Sequence, residues 1–538
     1  MQDKWYTNAT IYALDVETYM DGNGDGIGDF QGLISRLDYL SGLGINCIWL
    51  RPFYPSPRAD DGYDIMNYYD VDKRYGSLGD FVDFITKAKA IGIRVIIDIV
   101  ANHTSNKHPW FQQARKDRKS PFRDYYIWSK KPRKDQKQQS MISDSGIWQY
   151  DRSAREYYLH HFLKEQPDLN LANPEVLEEI KKIMGFWLQL GVCGFRIDAA
   201  HIWLEPTRTK KKYQDQLLGI LNEMRDHVKH RNSEAVLLAE ANVPAGSLHK
   251  FFANGTRMDL LFNFIVNQRL FLSVAREEPA ALMEAMTDLK DIKGEWVNFL
   301  RHHDELNLEM LNDEEKQTVF DAFAPGKNMQ IFGHGIRRRL PPMLDNNRKK
   351  LEHLYALMFS LPGIPLINYG EEIAMGDDLD KKGRLSVRTV MQWENSRNAG
   401  FTRSRNAMPE HTPISRGKYS YSKVNVSAQQ REPGSFLNWM ERLISTRKQC
   451  PQLSYGKWDF IKNNKPQVLS FCCEYGEDII LVLHNFSAEK TTTKLKTDKN
   501  IKKLIELFSN REYESARTIN DSFTIDGYGY RWFKSDNY

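Results

Sequence analysis

The stretch LGVCGFRIDAAHIW at residues 190–203 decides the fold, because a short apolar run in it carries two charged residues at its end, Arg196 and Asp198. A charge at the end of a buried strand is costly unless it is paired or functional. Similar β-branched runs recur along the chain: Ile11–Val16, Ile45–Leu50, Arg94–Val100, Gly194–Asp198, Ala235–Glu240, Leu260–Phe264, Trp296–Arg301 and Pro365–Asn368. Helix-period segments lie between them, namely Phe30–Leu43, Ser77–Ile91, Glu175–Leu190, Tyr213–His230 and Arg348–Ser360. The alternation predicts an α/β fold of the (β/α)₈ TIM-barrel type rather than a doubly wound sheet, since no GxGxxG motif follows an early run.

The composition excludes several classes of protein. The chain has 538 residues, of which 41% are hydrophobic and 27% charged, as is typical of an ordered globular protein. Its 75 basic and 70 acidic residues give a net charge of +5, too small to indicate a nucleic-acid partner. No apolar run is long enough to span a membrane, and no leader of the signal-peptide type precedes Asp15. Five cysteines without metal-ligand spacing predict reduced thiols and a cytoplasmic location.

Run spacing predicts three parts in the chain. A catalytic barrel is predicted over residues 1–102 and 167–452. A subdomain inserted after strand 3 is predicted over 103–166, and a C-terminal antiparallel β-sandwich over 453–538. The subdomain is expected because the connection after strand 3 is too long, too aromatic and too polar for one crossover helix. Its basic stretch KKPRKDQKQQS at 130–140 is interpreted as a solvated loop. The C-terminal runs alternate at short spacing: Val468–Glu474, Ile479–Asn485, Lys502–Leu507 and Ser522–Ile525.

Carboxylates and histidines gather at the predicted strand ends, which converge on one end of such a barrel. They stand in the segments Asp98–His103, Arg196–Asp198, Ala239–Glu240 and His302–Asp304. Paired carboxylates there support glycoside cleavage with retention of configuration. Asp198 is predicted as the nucleophile, held ionised by Arg196, and Glu240 as the acid/base that keeps its proton beside a negative charge. Asp304 and His303 are predicted to hold sugar hydroxyls as the ring flattens in the transition state.

The motifs at these strand ends resemble those of the α-amylase family of glycoside hydrolases and glucosyltransferases. They are GYD at 62–64, DIVANH at 98–103, QPDLN at 166–170, GFRID at 194–198, AEAN at 239–242, HD at 303–304 and GIPLINYGEE at 363–372. The resemblance implies Asp198 as nucleophile, Glu240 as acid/base and Asp304 as transition-state stabiliser. It implies Tyr63 as a stacking platform for the terminal glucose. The residues implied to hydrogen-bond the sugar are Asp64, His103, Arg196, His303 and Arg388.

Longer strings resemble the trehalose synthases of this family, which isomerise maltose and trehalose. They are FLRHHDELNLEML at 299–311, GIRRRLPPMLDNNR at 335–348 and MQWENSRNAGF at 391–401. Two positions depart from the family pattern, His302 in place of Asn and Val390 in place of Pro. In addition, VPAGSLHKFF follows AEAN in place of the family's common tryptophan-containing continuation. The resemblance implies that Asn242 and Glu305 help to close the pocket together with a subdomain arginine. That arginine has no clear equivalent at 130–145, where Arg133 is the only arginine.

The alternatives to this isomerase are a hydrolase and a non-catalytic relative. A hydrolase would be an α-glucosidase or an α-amylase that acts on malto-oligosaccharides. A non-catalytic binding subunit is disfavoured because all three acids are present. The expected partners are small α-linked sugars (maltose, trehalose and malto-oligosaccharides) with no nucleic acid and no membrane, and the sequence leaves the oligomeric state open.

An oxygen-rich loop follows strand 1, with donors at every second position and glycines between them. The donors are Asp21, Asn23, Asp25, Ile27 (through its carbonyl) and Asp29. The spacing resembles the first nine positions of an EF-hand loop, although Gly32 stands where an EF-hand has Glu. We therefore predict a structural calcium ion and no organic cofactor. A second ion involving Asn102 and Asp168, as in some relatives, is left open.

Overall fold

The computed structural model describes residues 4–132, 140, 146–204, 214–404, 406–499, 501, 503–514 and 518–536. Eight parallel strands in these residues close into a barrel in which consecutive strands are neighbours. The barrel strands, numbered 1 to 8 along the chain, are Ile11–Leu14, Cys47–Leu50, Arg94–Ile99, Gly194–Ile197, Val236–Ala239, Leu260–Phe262, Glu295–Phe299 and Ile364–Asn368. Every run that the sequence indicated is a strand, so the predicted (β/α)₈ fold is confirmed.

The strand register places the ends of barrel strands 3, 4 and 5 at one level. Almost all residues of these strands are buried, because one face points into the barrel and the other is covered by helices. Asp98 on strand 3 lies opposite Arg196 on strand 4, and Ile197 on strand 4 lies opposite Ala239 on strand 5. The residues that directly follow these strands, Asp198 and Glu240, therefore lie side by side at the same end of the barrel.

By compactness the chain divides into two units. Unit 1 contains Met1–Tyr12, Asp38–Asn46 and Asn263–Tyr538, and unit 2 contains Ala13–Leu37 and Cys47–Phe262. This division runs through the barrel and follows a different criterion from the three parts expected from the sequence. The predicted domain boundaries therefore stay a prediction.

The helices follow the expected segments closely, with one exception. The α-helices are Val16–Tyr19, Phe30–Ile34, Leu37–Gly42, Leu78–Ala90, Pro109–Lys116, Pro174–Gln189, Gln214–Arg231, Ala245–Phe252, Phe264–Arg276, Ala280–Leu289, Asp313–Phe323, Leu340–Met343, Arg348–Ser360, Val426–Arg431, Phe436–Lys448 and Pro451–Tyr455. The single helix expected over Phe30–Leu43 is two short helices. The Ser35 hydroxyl donates to the Gly32 carbonyl (2.6 Å), a local bond that competes with the helical ladder, and the first helix ends there.

A small antiparallel sheet follows barrel strand 3 and lies within unit 2. Its strands, in spatial order, are Trp128–Ser129, Glu156–Leu159 and Trp148–Asp151. The ring of Phe111 stacks on that of Trp128 with centroids 5.6 Å apart, and the Arg123 guanidinium lies 3.8 Å from the Trp128 centroid. Most of the basic stretch at 130–140, including Arg133, lies outside the described residues.

Two antiparallel sheets form the C-terminal part of unit 1. The larger sheet has the spatial order Lys457–Phe460, Val468–Tyr475, Asp478–Asn485, Tyr530–Asp536 and Lys503–Ser509, and the smaller one Lys462–Asn463, Thr491–Lys496 and Ser522–Ile525. Apolar side chains of both sheets share one buried cluster, which includes Leu481, Phe523 and Phe533. In the described part of the chain, no helix combines the length and apolar character that crossing a membrane requires.

Candidate active site

One guanidinium organises the acids of unit 2. Arg196 Nη1 lies 2.6 Å from Asp98 Oδ1 and 2.5 Å from Asp198 Oδ1, and its Nη2 contacts Glu240 Oε2. The side chain of Arg196 is 3% exposed, and that of Asp98 is fully buried. From the sequence, Arg196 is expected to hold Asp198, whereas in the structure three carboxylates share this guanidinium. The predicted nucleophile and acid/base are thus both anchored to one rigid group.

Burial and charge act in opposite directions on this cluster. Burial alone would lower the pKa of Arg196, but Asp98, Glu240 and Asp198 raise it well above the usual value for arginine. The guanidinium is therefore a permanent cation. Burial raises the pKa of Asp98, although Arg196 and the indole N–H of Trp49, which donates to Asp98 (2.9 Å), oppose that rise.

The predicted sugar-binding residues of unit 2 are buried around the same acids. The Tyr63 hydroxyl donates to Asp98 Oδ2 (3.5 Å), and the Arg196 guanidinium lies 5.9 Å from the Tyr63 ring centroid. A ring nitrogen of His103, Nε2, lies 3.2 Å from the Tyr63 carbonyl oxygen. Asn242, two residues beyond Glu240, is also buried. Tyr63 and His103 are therefore connected to each other, and Tyr63 reaches the acids.

Asp64 is held by its own loop. Its carboxylate accepts hydrogen bonds from the Ser56 hydroxyl (2.8 Å) and from the backbone amides of Ala59 (2.9 Å) and Asp60 (3.2 Å). Burial raises the pKa of Asp64, and these hydrogen bonds counteract the rise. The structure thus fixes the side chain of Asp64, and its predicted contact with sugar stays a prediction.

A second group of charged residues surrounds Asp304 in unit 1. The carboxylate of Asp304 lies 2.7 Å from Arg388 Nη2, 3.1 Å from Arg384 Nη1 and 3.3 Å from His303 Nε2. Burial would raise the pKa of Asp304, but Arg384, His303, Arg388 and His302 together hold it well below its usual value. Asp304 is therefore ionised, as a stabiliser of a positively charged transition state must be.

Arg384 is a member of this group that the sequence analysis missed. It lies on the 3₁₀ turn Gly383–Val387 and binds Glu305 with two parallel bonds, Nε to Oε2 at 2.7 Å and Nη2 to Oε1 at 3.1 Å. The only signal in the sequence was its position four residues before Arg388. Glu305, which the resemblance implied would help to close the pocket, is bound by Arg384.

His302 performs locally what the usual asparagine could do. Its Nδ1 accepts a hydrogen bond from the Asp304 amide (3.0 Å), as an asparagine side-chain oxygen can. His302, His303 and Asp304 also bring one ligand atom each within 4.8 Å of one another, a spacing that suits a metal ion. Two guanidinium groups already neutralise Asp304, so a cation is disfavoured there.

The loop predicted to bind calcium is folded by its own amides. Asp21 accepts hydrogen bonds from the amides of Gly24 (2.5 Å) and Gly26 (2.8 Å), and Asp25 accepts one from Ile27 (2.8 Å). Asp29 accepts from three amides, those of Gly22, Asn23 and Gly32. Asp29 Oδ2 accepts two of these amides and is saturated, but Asp29 Oδ1 and the oxygens of Asp21 and Asp25 each keep a lone pair, so the all-oxygen donor set still fits Ca²⁺.

The two residues considered for a second ion do meet. The side-chain amide of Asn102 donates from Nδ2 to Asp168 Oδ1 (3.3 Å), but the other carboxylate oxygen of Asp168 is bound to Nδ1 of His161. His161 and Asp168 are both almost fully buried. The histidine therefore occupies a coordination position of Asp168 that a cation would need.

Comparison with known proteins agrees with this geometry. The family model described as "alpha amylase, catalytic domain" matches residues 14–456, and the one described as "maltogenic amylase, C-terminal domain" matches residues 459–532. A trehalose synthase/amylase of Mycobacterium tuberculosis is 36% identical over 542 residues, covering 98% of this chain and 90% of the relative. An oligo-1,6-glucosidase of Parageobacillus thermoglucosidasius is 31% identical over 576 residues, covering 97% of each chain. The solved trehalulose synthase of Pseudomonas mesoacidophila MX-45 superposes with a TM-score of 0.79 at 26% identity, covering 99% of each chain. The chain therefore belongs to the α-amylase family.

Proposed function

We propose that the protein isomerises maltose and trehalose through a glucosyl-Asp198 intermediate, with some hydrolysis. The observation that carries the proposal is the attachment of Asp198 and Glu240 to the single guanidinium of Arg196. Retaining glycosidases need their two carboxylates only about 5 Å apart, and two carboxylates on one guanidinium agree with that spacing. The 36% identity to the mycobacterial trehalose synthase/amylase, over 98% of this chain, supports isomerisation rather than hydrolysis alone.

The proposed reaction has two displacements. Asp198 attacks the anomeric carbon while Glu240 protonates the leaving oxygen, which forms the ester and frees glucose. The freed glucose stays, turns, and attacks the ester through its own anomeric hydroxyl. Glu240 takes the proton of that hydroxyl, and Asp198 leaves as a carboxylate. Water that attacks in place of glucose gives hydrolysis, so exclusion of water determines the product.

The remaining site residues are proposed to bind the sugar. Tyr63 would stack on the terminal glucose and Asp304, kept ionised by its cationic neighbours, would grip the ring hydroxyls more strongly in the transition state. His103, His303 and Arg388 would supply further hydrogen bonds, and Asp64 another from its fixed position. Asn242 and Glu305 are proposed to close the pocket around the retained glucose.

Hydrolysis alone is the second candidate, favoured by 31% identity to an oligo-1,6-glucosidase. Purified protein incubated with maltose distinguishes the two. We expect trehalose together with a substantial glucose by-product, quantified by chromatography over time. Glucose without trehalose at every time point would make the protein an α-glucosidase or α-amylase.

Two further parts of the proposal concern the ion and the compartment. A structural calcium ion at Asp21, Asn23, Asp25, Ile27 and Asp29 is supported by the oxygen-only donor set. A cytoplasmic location is supported by the five cysteines, all of which are free thiols.

A further inference from the structure

We propose that Arg384 is a positioning residue that holds the carboxylates of Asp304 and Glu305 and thereby sets the balance between glucosyl transfer and hydrolysis. The part about product balance rests on the proposed function, whereas the part about Asp304 needs only an α-glucoside-cleaving enzyme. Each contact that supports the proposal lies within unit 1.

The first support is the geometry of the guanidinium. Its Nε and Nη2 bind both oxygens of Glu305, at 2.7 and 3.1 Å, while its Nη1 lies 3.1 Å from Asp304 Oδ1. A fork of this kind fixes direction as well as distance, because guanidinium and carboxylate are both planar. Arg384 therefore joins two consecutive carboxylates that would otherwise repel each other.

The second support is that both ends of this contact are held by packing. A methyl group on Gly335 would lie 2.5 Å from Cγ of Glu305, so the backbone of Gly335 packs directly against the Glu305 stem. The Arg384 guanidinium in turn lies 5.5 Å from the ring centroid of Phe332. Phe332 stands at positive φ (56°) in the turn between two short strands, Gln330–Ile331 and Gly335–Ile336. The hairpin thus supports the arginine and the glutamate together.

The charges around Asp304 support the same role. After the opposing effect of burial, Arg384 contributes most to the lowered pKa of Asp304, ahead of His303, Arg388 and His302. Burial and the repulsion of Asp304 both raise the pKa of Glu305, but the charge and hydrogen bonds of Arg384, together with a backbone hydrogen bond, lower it below its usual value. The titratable and charged groups that face Asp304 are His302, His303, Glu305, Arg384 and Arg388. Removal of Arg384 therefore raises the pKa of Asp304 and leaves Glu305 buried without the fork.

The test compares Arg384→Gln and Arg384→Lys with a matched control, Arg338→Gln. Arg338 pairs with Asp377 at 3.2 Å in the same unit and is similarly buried.

We expect Arg384→Gln to lower kcat for maltose consumption about tenfold or more. Its acid limb of kcat/KM against pH should move to higher pH, because Asp304 must be ionised. Its glucose fraction should also rise. Arg384→Lys keeps a positive charge but cannot bind both oxygens of Glu305 as a planar guanidinium does. Its acid limb should therefore lie at the wild-type pH, whereas its trehalose fraction should stay below that of the wild type.

Thermal unfolding shows whether each variant is folded, and Arg384→Lys keeps the test valid should Arg384→Gln be unstable. The proposal is overturned if the acid limb and product ratio of both Arg384 variants coincide with those of the wild type. It is equally overturned if Arg338→Gln moves them as much. A wild type that makes only glucose removes the isomerase function, and the acid limb still decides the role of Arg384.

Discussion

Replacing Arg196 by methionine keeps a long apolar stem and removes the charge that three carboxylates share. Asp98 is the acid most affected, because it is completely buried and has Arg196 as its cation. In the variant it retains the indole N–H of Trp49 at 2.9 Å and the hydroxyl of Tyr63 at 3.5 Å. Removing one partner of a buried ion pair costs about 3–5 kcal/mol of unfolding free energy.

The loss of unfolding free energy in Arg196→Met depends on pH, and the burial of Asp98 determines whether it grows or shrinks as pH rises. Its pKa is already raised by burial in the folded wild type, and it rises further without Arg196. A carboxyl group with a raised pKa stabilises the folded state most below the pKa of the unfolded chain, and that contribution is lost as pH rises through the folded pKa. The deficit of Arg196→Met is therefore small near about pH 4, where aspartates of the unfolded chain titrate, and largest at neutral pH.

Equilibrium urea unfolding at several pH values measures this deficit. The matched control is Arg225→Met, since Arg225 also pairs with a buried aspartate, Asp259, which Lys229 still contacts at 3.2 Å. The control should lose about 1 kcal/mol or less, without a pH trend. A deficit for Arg196→Met under about 1 kcal/mol at pH 7, or one that is unchanged at acid pH, would refute the reasoning.

Three further outcomes are expected. Asp198→Asn and Glu240→Gln should each keep less than about a hundredth of the activity, a loss of more than ~2.7 kcal/mol, with little change in melting temperature; more activity than that would remove the assigned role. Excess EDTA should lower the melting temperature, because without a cation the carboxylates of the Asp21–Asp29 loop repel one another; an unchanged value, with no calcium by metal analysis, would remove the ion. Glu305→Ala should raise the glucose fraction more than it lowers total maltose consumption, and chromatography of both sugars gives the two quantities.

The fold was predictable because its signals are local. Barrel strands are short, apolar on both faces and bounded by turns, so runs such as Arg94–Val100 predicted the strand Arg94–Ile99 to within one residue. The break between the helices Phe30–Ile34 and Leu37–Gly42 was missed, because it depends on a side chain of Ser35 that bonds to the backbone. Apolar periodicity continues through that position and carries no sign of the break.

The candidate site was predictable where a strand end carries the residue and less so elsewhere. Asp198 and Glu240 follow barrel strands directly, so the strand-end rule was enough to bring them together. Arg384 lies on an irregular segment, and only the tertiary fold places it against Asp304 and Glu305. The contact of His161 with Asp168 was missed for the same reason, since His161 lies within the inserted segment, where periodicity gives no guidance.

Mass spectrometry of a trapped intermediate tests the central claim, covalent catalysis by Asp198, most directly. In 5-fluoro-α-D-glucosyl fluoride the fluorine on the ring destabilises both oxocarbenium-like transition states, while the fluoride leaving group keeps the first displacement faster than the second, so the ester accumulates. The predicted result is one fluoroglucosyl group on the peptide that contains Asp198, and no labelling of Asp198→Asn. A label on any other carboxylate, or equal labelling of Asp198→Asn, would contradict it.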